Sequence, residues 1–251
     1  MPTCCALFLP KAGSSAQEYE DAWACEEDAD TGGWRLGLAD GATESSFAGL
    51  WATMLVRSYA QGRWHPDAEC QEELDSLRRR WQRIVTRRPL PWYAEAKVQA
   101  GAYATFLGLA VDGGLGGAGR WRAVALGDSC LFQLRGRKLL AAFPFAAEAD
   151  LPWRPAAVSS RPGSDVAFAT AQGDCRPGDS FLLMSDALAH WCLGRAERRG
   201  RPFGSLLHLA EAGPKRFARW VAARRRAGEL RNDDVTLLVL SSREAASWRR
   251  S

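Results

Sequence analysis

The chain has 251 residues, of which 47% are hydrophobic and 25% charged, with a formal charge of +4 and a pI near 8.8. This is the composition of a soluble globular protein with a sizeable core. The positive charge gathers in "GRAERRGRPFG" and "KRFARWVAARRRAG", without the exposed aromatic interleaving or reading motif of a nucleic-acid binder, so it reads as a solvated helix face, with an acidic partner surface as the alternative. Seven unevenly spaced cysteines exclude a disulfide framework and suit reduced thiols, and no apolar run is long enough to span a bilayer. The expectation is a cytoplasmic monomer with neither nucleic acid nor membrane as partner.

In chain order, "CALFLP" and "DAWACEED" read as short strands, and Glu26, Glu27 and Asp28 as a solvated turn. "GWRLGLAD" alternates Trp34, Leu36 and Leu38 with smaller residues, as a strand packed tightly on both faces does. The period then changes. Phe47, Leu50, Trp51, Met54 and Leu55 mark one buried helical stripe, and Thr43, Ser45 and Ser46 are candidate caps. Residues 68–100 continue as helix, broken at "RPLPW" by two prolines. "AGAYATFLGLAVD" predicts one long strand, "GGLGGAG" a hairpin connection, and "RWRAVALGDSCLFQLRGRKLLAAF" two or three strands. Residues 143–179 form a loop region around one strand at "DVAFATA". "GDSFLLMSD" is an apolar strand ending on Asp186; three helical stretches follow, and "DDVTLLVLSS" is the last strand. With no repeat or linker, residues 1–251 read as a single domain. Blocks of strands beside blocks of helices predict α+β with antiparallel sheets.

Three aspartates share a context. Asp40 and Asp186 each end a strand, and Asp233 precedes one. Antiparallel pairing sets the end of one strand beside the start of its neighbour, so the three can meet on one edge. Clustered carboxylates repel unless a cation neutralises them, and an all-oxygen donor set suits Mg²⁺ or Mn²⁺. Two such ions acidify a water for attack on a phosphoryl group. Gly41, lacking a side chain, lets its carbonyl approach an ion. Taken singly, each aspartate is as well explained as a turn former or helix cap.

The ordered set resembles the type-2C, metal-dependent serine/threonine protein phosphatases (PPM), particularly their divergent bacterial branch. Five segments carry the resemblance: "EYEDAW", "LADGATESSFAG", "VALGDSCLFQL", "FLLMSDALAHW" and "RNDDVTLLVL". It implies an α-β-β-α sandwich of two antiparallel sheets flanked by helices. It also implies a binuclear Mn²⁺ or Mg²⁺ centre acting on phosphoprotein substrates made by a partner Ser/Thr kinase. By the same resemblance Asp40 bridges two metals, Gly41 offers its carbonyl, and Asp186 and Asp233 are further ligands. Glu20 and Asp21 take the place of the early acidic pair, Asp21 acting with Asp40 in catalysis, and Asp234 takes the place of an Asn. Asp128 and His190 mark a third metal position.

Three positions depart from that pattern. Ala16 stands where relatives carry a phosphate-binding Arg, Ala42 where some carry a general-acid His, and His190 where an Asp is usual. They motivate a second reading, a pseudophosphatase that binds phosphoproteins without turnover. A third reading takes "GDSC" as an esterase block with Ser129 as nucleophile and His190 as base. His65 and His208 lack ligand spacing and read as packing or surface residues. Glu44 adjoins the proposed site and could orient a water there.

Overall fold

The structure, a computed structural model, describes residues 3–28, 31–43, 45, 47–66, 71–87, 98–113, 115–163 and 167–241. Glu44, Ser46 and the "RPLPW" break lie outside the described residues. Twelve strands and five helices of three turns or more make up its regular elements among these residues. One sheet runs β1 (Thr3–Leu9), β12 (Val235–Ser241), β11 (Asp179–Met184), β7 (Cys130–Arg135), β8 (Lys138–Phe143). The other runs β10 (Ala169–Cys175), β6 (Gly119–Leu126), β5 (Phe106–Asp112), β3 (Trp34–Ala39), β2 (Ala22–Glu27). Two short strands, β4 (Tyr103–Ala104) and β9 (Val158–Ser159), pair separately. Every pairing is antiparallel.

The sheets pack face to face. Leu36, Leu38, Leu107 and Leu109 from one meet Leu131, Phe181, Leu183, Leu238 and Leu240 from the other. Alternate residues of the same strands point outward, because successive side chains of a strand alternate between faces. Leu182, Met184, Leu237 and Val239 therefore bury against α3 (Asp186–Glu197), α4 (Pro202–Ala212) and α5 (Pro214–Arg226). Ala39 and Phe106 bury against α1 (Ala48–Ala60), and α2 (Gln71–Val85) packs beside α1. Both central strands of the first sheet are covered on both faces, which is why "FLLM" and "VTLLVL" read as unbroken apolar runs. The result is the four-layer α-β-β-α sandwich.

The large–small alternation in "WRLGL" has a concrete cause. Gly37 on β3 lies directly opposite Gly108 on β5. A Cβ on Gly37 would approach Val56 to 3.1 Å, and one on Gly108 would come within 2.7 Å of the Tyr59 ring. The paired glycines form a trough that seats α1 almost on the sheet backbone.

Four local expectations are corrected. The long strand at 103–112 is broken at Thr105, which turns out of the ladder to bond Asp40. Phe47 is not on the buried stripe: it precedes α1 in the left-handed region (φ 61°) and is exposed. Ser45 does not cap α1; its hydroxyl bonds the Ala42 carbonyl. Glu26 and Glu27 are the exposed end of β2, not a turn. Trp51, Trp64 and Trp81 are fully buried, whereas Trp153 is 91% exposed.

Candidate functional site

Strand register brings the acidic ends together. In the first sheet Met184 pairs with both Cys130 and Leu237, so residues just past these partners, at 186, 128–129 and 233–234, share one rim. In the second sheet Ala22 pairs with Ala39, Leu38 with Leu107, and Phe106 with Leu126. That places Asp21, Asp40, Thr105 and Gly127 on the corresponding rim. Because the sheets are stacked, the two rims form one edge of the sandwich.

The electrostatics show how close these groups are. Burial, then the charges of Asp21, Asp186, Asp128 and Asp233, hold the Asp40 carboxyl well above the usual carboxylate range. Burial and then Asp128 and Asp233 push Asp186 up to about 7. Asp128 is pushed up to about 6 by burial, with Asp233 adding to the rise and Arg231 opposing it. Burial drives Asp21 to about 7, with Asp234 and Asp186 adding to the rise and hydrogen bonds from Thr236 and Ser185 opposing it. Desolvation and like charge act in one direction here, and the opposing charge of Arg231 does not offset them.

Each carboxylate has a distinct set of partners. The Thr236 hydroxyl donates to Asp21 Oδ2 at 2.5 Å, and the Tyr19 hydroxyl lies 2.5 Å from that Thr236 oxygen. The backbone N–H of Ala187 donates to Asp186 Oδ1 at 2.5 Å. Asp234 accepts the amides of Lys11 (2.8 Å) and Glu20 (2.7 Å), so it fastens the segment that carries Glu20 and Asp21. The Asp233 side chain accepts the Asp234 amide at 2.9 Å, and its carbonyl accepts Arg225 Nη2. Arg225, read in sequence as part of a solvated face, also donates to the Pro10 carbonyl at 3.0 Å and so ties both ends of the chain to α5.

Gly41 is fixed by packing. A Cβ there would stand 2.9 Å from both the Ala48 carbonyl carbon and the Glu20 carbonyl oxygen. His190 faces Glu148, Nδ1 to Oε1 at 3.8 Å, and burial followed by the Arg231 charge lowers its pKa. Ala16 and Ala42 are exposed, the first in a 3₁₀ turn (16–18) and the second directly after Gly41. The Ser129 hydroxyl is buried without a hydrogen-bond partner, so no Ser–His pair supports an esterase. His65 bonds the Gly62 carbonyl and His208 sits on an exposed helix face near Glu211, as expected of residues without a site role.

Whether the rim suits a divalent cation turns on its donors. Asp21 Oδ1 and Asp128 Oδ1 are buried with no partner, and a buried unpaired carboxylate oxygen is costly. The donors are oxygens only, the set preferred by hard cations. Among the described residues, no three His, Cys, Asp or Glu side chains stand in a ready-made metal-holding group. The residue types fit; the carboxylates line a rim and do not yet close a cage.

Sequence reasoning missed three contributors. Thr105 accepts the Asp40 amide at 3.1 Å through its hydroxyl and donates its own amide to the Asp40 carbonyl at 2.8 Å. The Tyr19–Thr236 pair supports Asp21. Arg231 lies 3.9 Å from Asp186 Oδ2, and its place two residues before Asp233 in "RND" was the available signal. Two depressions flank the rim. One, of about 630 Å³, is lined by Asp21, Tyr19, Lys11 and Phe47; the other, of about 390 Å³, by His190, Trp191 and Arg231.

No protein-family model matches the sequence, and no curated protein matches it. Solved structures do. The S. agalactiae serine/threonine phosphatase superposes with a TM-score of 0.59 at 15% identity, covering 97% of this chain and 100% of that one. The catalytic domain of the phosphatase PstP, in complex with two manganese ions, gives 0.55 at 18% identity over 96% and 97%. RsbX in complex with magnesium gives 0.50 at 14% over 95% and 94%. At such identities the likeness is one of fold, carried here over almost the whole length. The chain has the fold of the PPM-type serine/threonine phosphatases.

Proposed function

We propose that this protein is a metal-dependent phosphatase acting on phosphoserine and phosphothreonine in proteins. The observation that carries the reading is the convergence on one rim of Asp21, Asp40, Asp128, Asp186 and Asp233: burial and neighbouring carboxylates raise the pKa of the first four, and Arg231 offsets this only in part. The neighbours bound to manganese and magnesium support a divalent cation in general.

In this reading Asp40, the Gly41 carbonyl, Asp186 and Asp233 hold two Mn²⁺ or Mg²⁺ ions, and Asp128 with His190 offers a third position. Such ions, when bound, lower the pKa of water and draw charge from phosphoryl oxygens. The chain's own residues do the rest. Asp21 accepts the Thr236 hydroxyl on Oδ2 and keeps Oδ1 free, so it can take up a proton at the rim. Asp234 and Thr105 hold the Asp21 and Asp40 segments by backbone hydrogen bonds. With Ala at 42 the leaving alkoxide takes its proton from solvent, which slows turnover by about 10²–10⁴-fold relative to a site with a general acid.

The test is hydrolysis of p-nitrophenyl phosphate and a phosphothreonine peptide with Mn²⁺ present. The expected result is activity that EDTA abolishes and Asp40→Asn removes. Full activity in EDTA would defeat the proposal. Ala16, Ala42 and His190 favour a second reading, a phosphoprotein-binding regulator. Tight Mn²⁺ binding by calorimetry, with no turnover across a broad phosphopeptide panel, is the outcome that selects it.

A further inference from the structure

The rim has five aspartates and, among the described residues, one cation whose charge reaches both Asp128 and Asp186. That cation is Arg231. Its Nη1 is 3.9 Å from Asp186 Oδ2, beyond hydrogen-bond distance, and its side chain is 54% exposed. A guanidinium has five N–H donors in a planar fork. Here the fork faces the rim without being spent on it. Arg135 is different: it grips buried Asp179 with Nε and Nη2 at 2.7 and 3.0 Å. Arg231 is therefore placed like a ligand-binding arginine and not like a structural one.

Arg231 also walls the cleft of about 390 Å³ between α3 and residues 228–231. Gly194 opens it: a Cβ there would lie 2.2 Å from Glu148 Oε2, so the glycine admits the Glu148 carboxylate against the middle of α3. Trp191 packs edge-on against Trp220 with ring centroids 4.8 Å apart, which gives the cleft a stiff side. Arg195 and Arg198 complete the lining. Glu229 and Glu148 line it too: Glu229 pairs with Arg224 at 2.7 Å, and Glu148 is shared at 3.8 Å between His190 and Arg198. Three arginines therefore face two carboxylates, each already partly committed to a cation, and the lining is net cationic.

We propose that Arg231 anchors the substrate phosphate, and that the cleft beside it receives acidic residues flanking the phosphorylated side chain, with Arg195 and Arg198 as their partners. This rests on the phosphatase reading and names its substrate class, an acidic phosphopeptide. The guanidinium lies between rim and cleft, so a phosphate held at the rim can take a forked pair of hydrogen bonds from it. A phosphopeptide leaving the rim across α3 then meets Arg195 and Arg198.

The experiment is calorimetry on the Mn²⁺-loaded full chain with non-hydrolysable phosphonate analogues of a phosphothreonine peptide, one flanked by Asp and Glu and one by Ala. Mn²⁺ affinity is measured for each variant, and kcat and KM with the matching phosphopeptides. Arg231→Ala is expected to weaken both analogues by about 10–100-fold and to raise KM, while Mn²⁺ affinity holds or tightens. Arg231→Lys should restore part of the loss. The double variant Arg195→Ala, Arg198→Ala should bring the affinities of acidic and neutral peptides together. Unchanged phosphonate affinity in Arg231→Ala overturns the proposal, since Arg231 would then serve only to offset the aspartates; so does a wild type that binds neither analogue. Arg231-dependent binding without hydrolysis by the wild type would remove the phosphatase reading and leave the anchor standing.

Discussion

The two ends of β11 carry the same residue in opposite states. Asp179, at the start, is fully buried and satisfied: Arg135 gives it two hydrogen bonds, Gln133 Nε2 a third at 3.0 Å and the Arg176 amide a fourth at 3.0 Å. Burial alone would raise its pKa, but these bonds prevail and lower it. Asp186, just past the other end, has one short amide bond and an arginine at 3.9 Å. Its pKa is pushed up to about 7. Residue type is the same at the two ends and Asp186 is if anything the less buried, its side chain 13% exposed; what differs is whether the fold supplies the partners. A buried carboxylate that the fold leaves unsatisfied marks a place where something else is expected to bind.

Removing each carboxylate should break the comparison in two different ways, and this is the largest effect expected. Asp186→Asn should lower metal-dependent hydrolysis by more than about 100-fold, since even residues supporting metal ligands act on that scale. In the metal-free protein it should leave the melting temperature unchanged or raised, because a repelling charge has gone. Asp179→Ala should do the reverse. It strands Gln133 and the Arg176 amide, while half-exposed Arg135 recovers water, so the cost is about 1–3 kcal/mol. At roughly 2–4 °C per kcal/mol for a chain of this size, the shift is readable by calorimetry. Activity per folded molecule should persist. A large loss of metal-free stability in Asp186→Asn would erase the distinction.

Titration sharpens the contrast, because the two ends respond to pH with opposite sign. Asp186 and Asp21 near 7, and Asp128 near 6, bind more protons folded than unfolded, where carboxyls titrate near about 4. Their contribution to stability is therefore full below about pH 4 and is lost as pH rises towards 7. Asp179, with its pKa lowered, contributes above the unfolded value and loses that contribution as pH falls below it. In EDTA the melting temperature should thus fall between pH 5 and pH 8, both values lying where Asp179 is ionised. Adding Mn²⁺ at pH 8 should recover the loss, because the cation replaces the missing protons. A metal-free melting temperature that rises over this interval would contradict a rim whose carboxylates are only partly compensated.

This contrast explains how far the sequence could be read. The sandwich was legible because strands covered on both faces leave unbroken apolar runs, and because the five acidic segments occur in a familiar order. Asp40, Asp186 and Asp233 stood out as the places where those runs meet charge. Asp179 obeys the same local rule, one residue before "SFLLM", and nothing local marks it as structural; its partners Gln133 and Arg135 lie on β7 and become visible only once β7 pairs with β11. Arg225 was hidden for the same reason, inside a basic run that looks solvated, and Arg231 because its neighbour Asp186 is distant in sequence. Phe47 and Thr105 show the limit of periodicity. Each sits in register with its pattern, yet a left-handed backbone takes Phe47 off the helix stripe and the bonds to Asp40 take Thr105 out of the strand.

The smallest effect concerns the support behind Asp21. Thr236, on the inter-sheet face of β12, donates its one proton to Asp21 and so must accept from Tyr19, whose phenol burial and the nearby Asp21 charge keep protonated. Tyr19→Phe removes that donor but leaves the ring, which lies 5.4 Å from the Phe8 ring. The cost should be about 0.5–1.5 kcal/mol. Freed of its donor, the Thr236 hydroxyl can rotate, and Asp21 then loses the bond that holds its pKa down. In a phosphatase that depends on Asp21 as an anion, the acidic limb of the kcat profile should move to higher pH in Tyr19→Phe. An unmoved limb alongside the stability loss would confine Tyr19 to packing and leave Asp21 positioned by Thr236 and Ser185 alone.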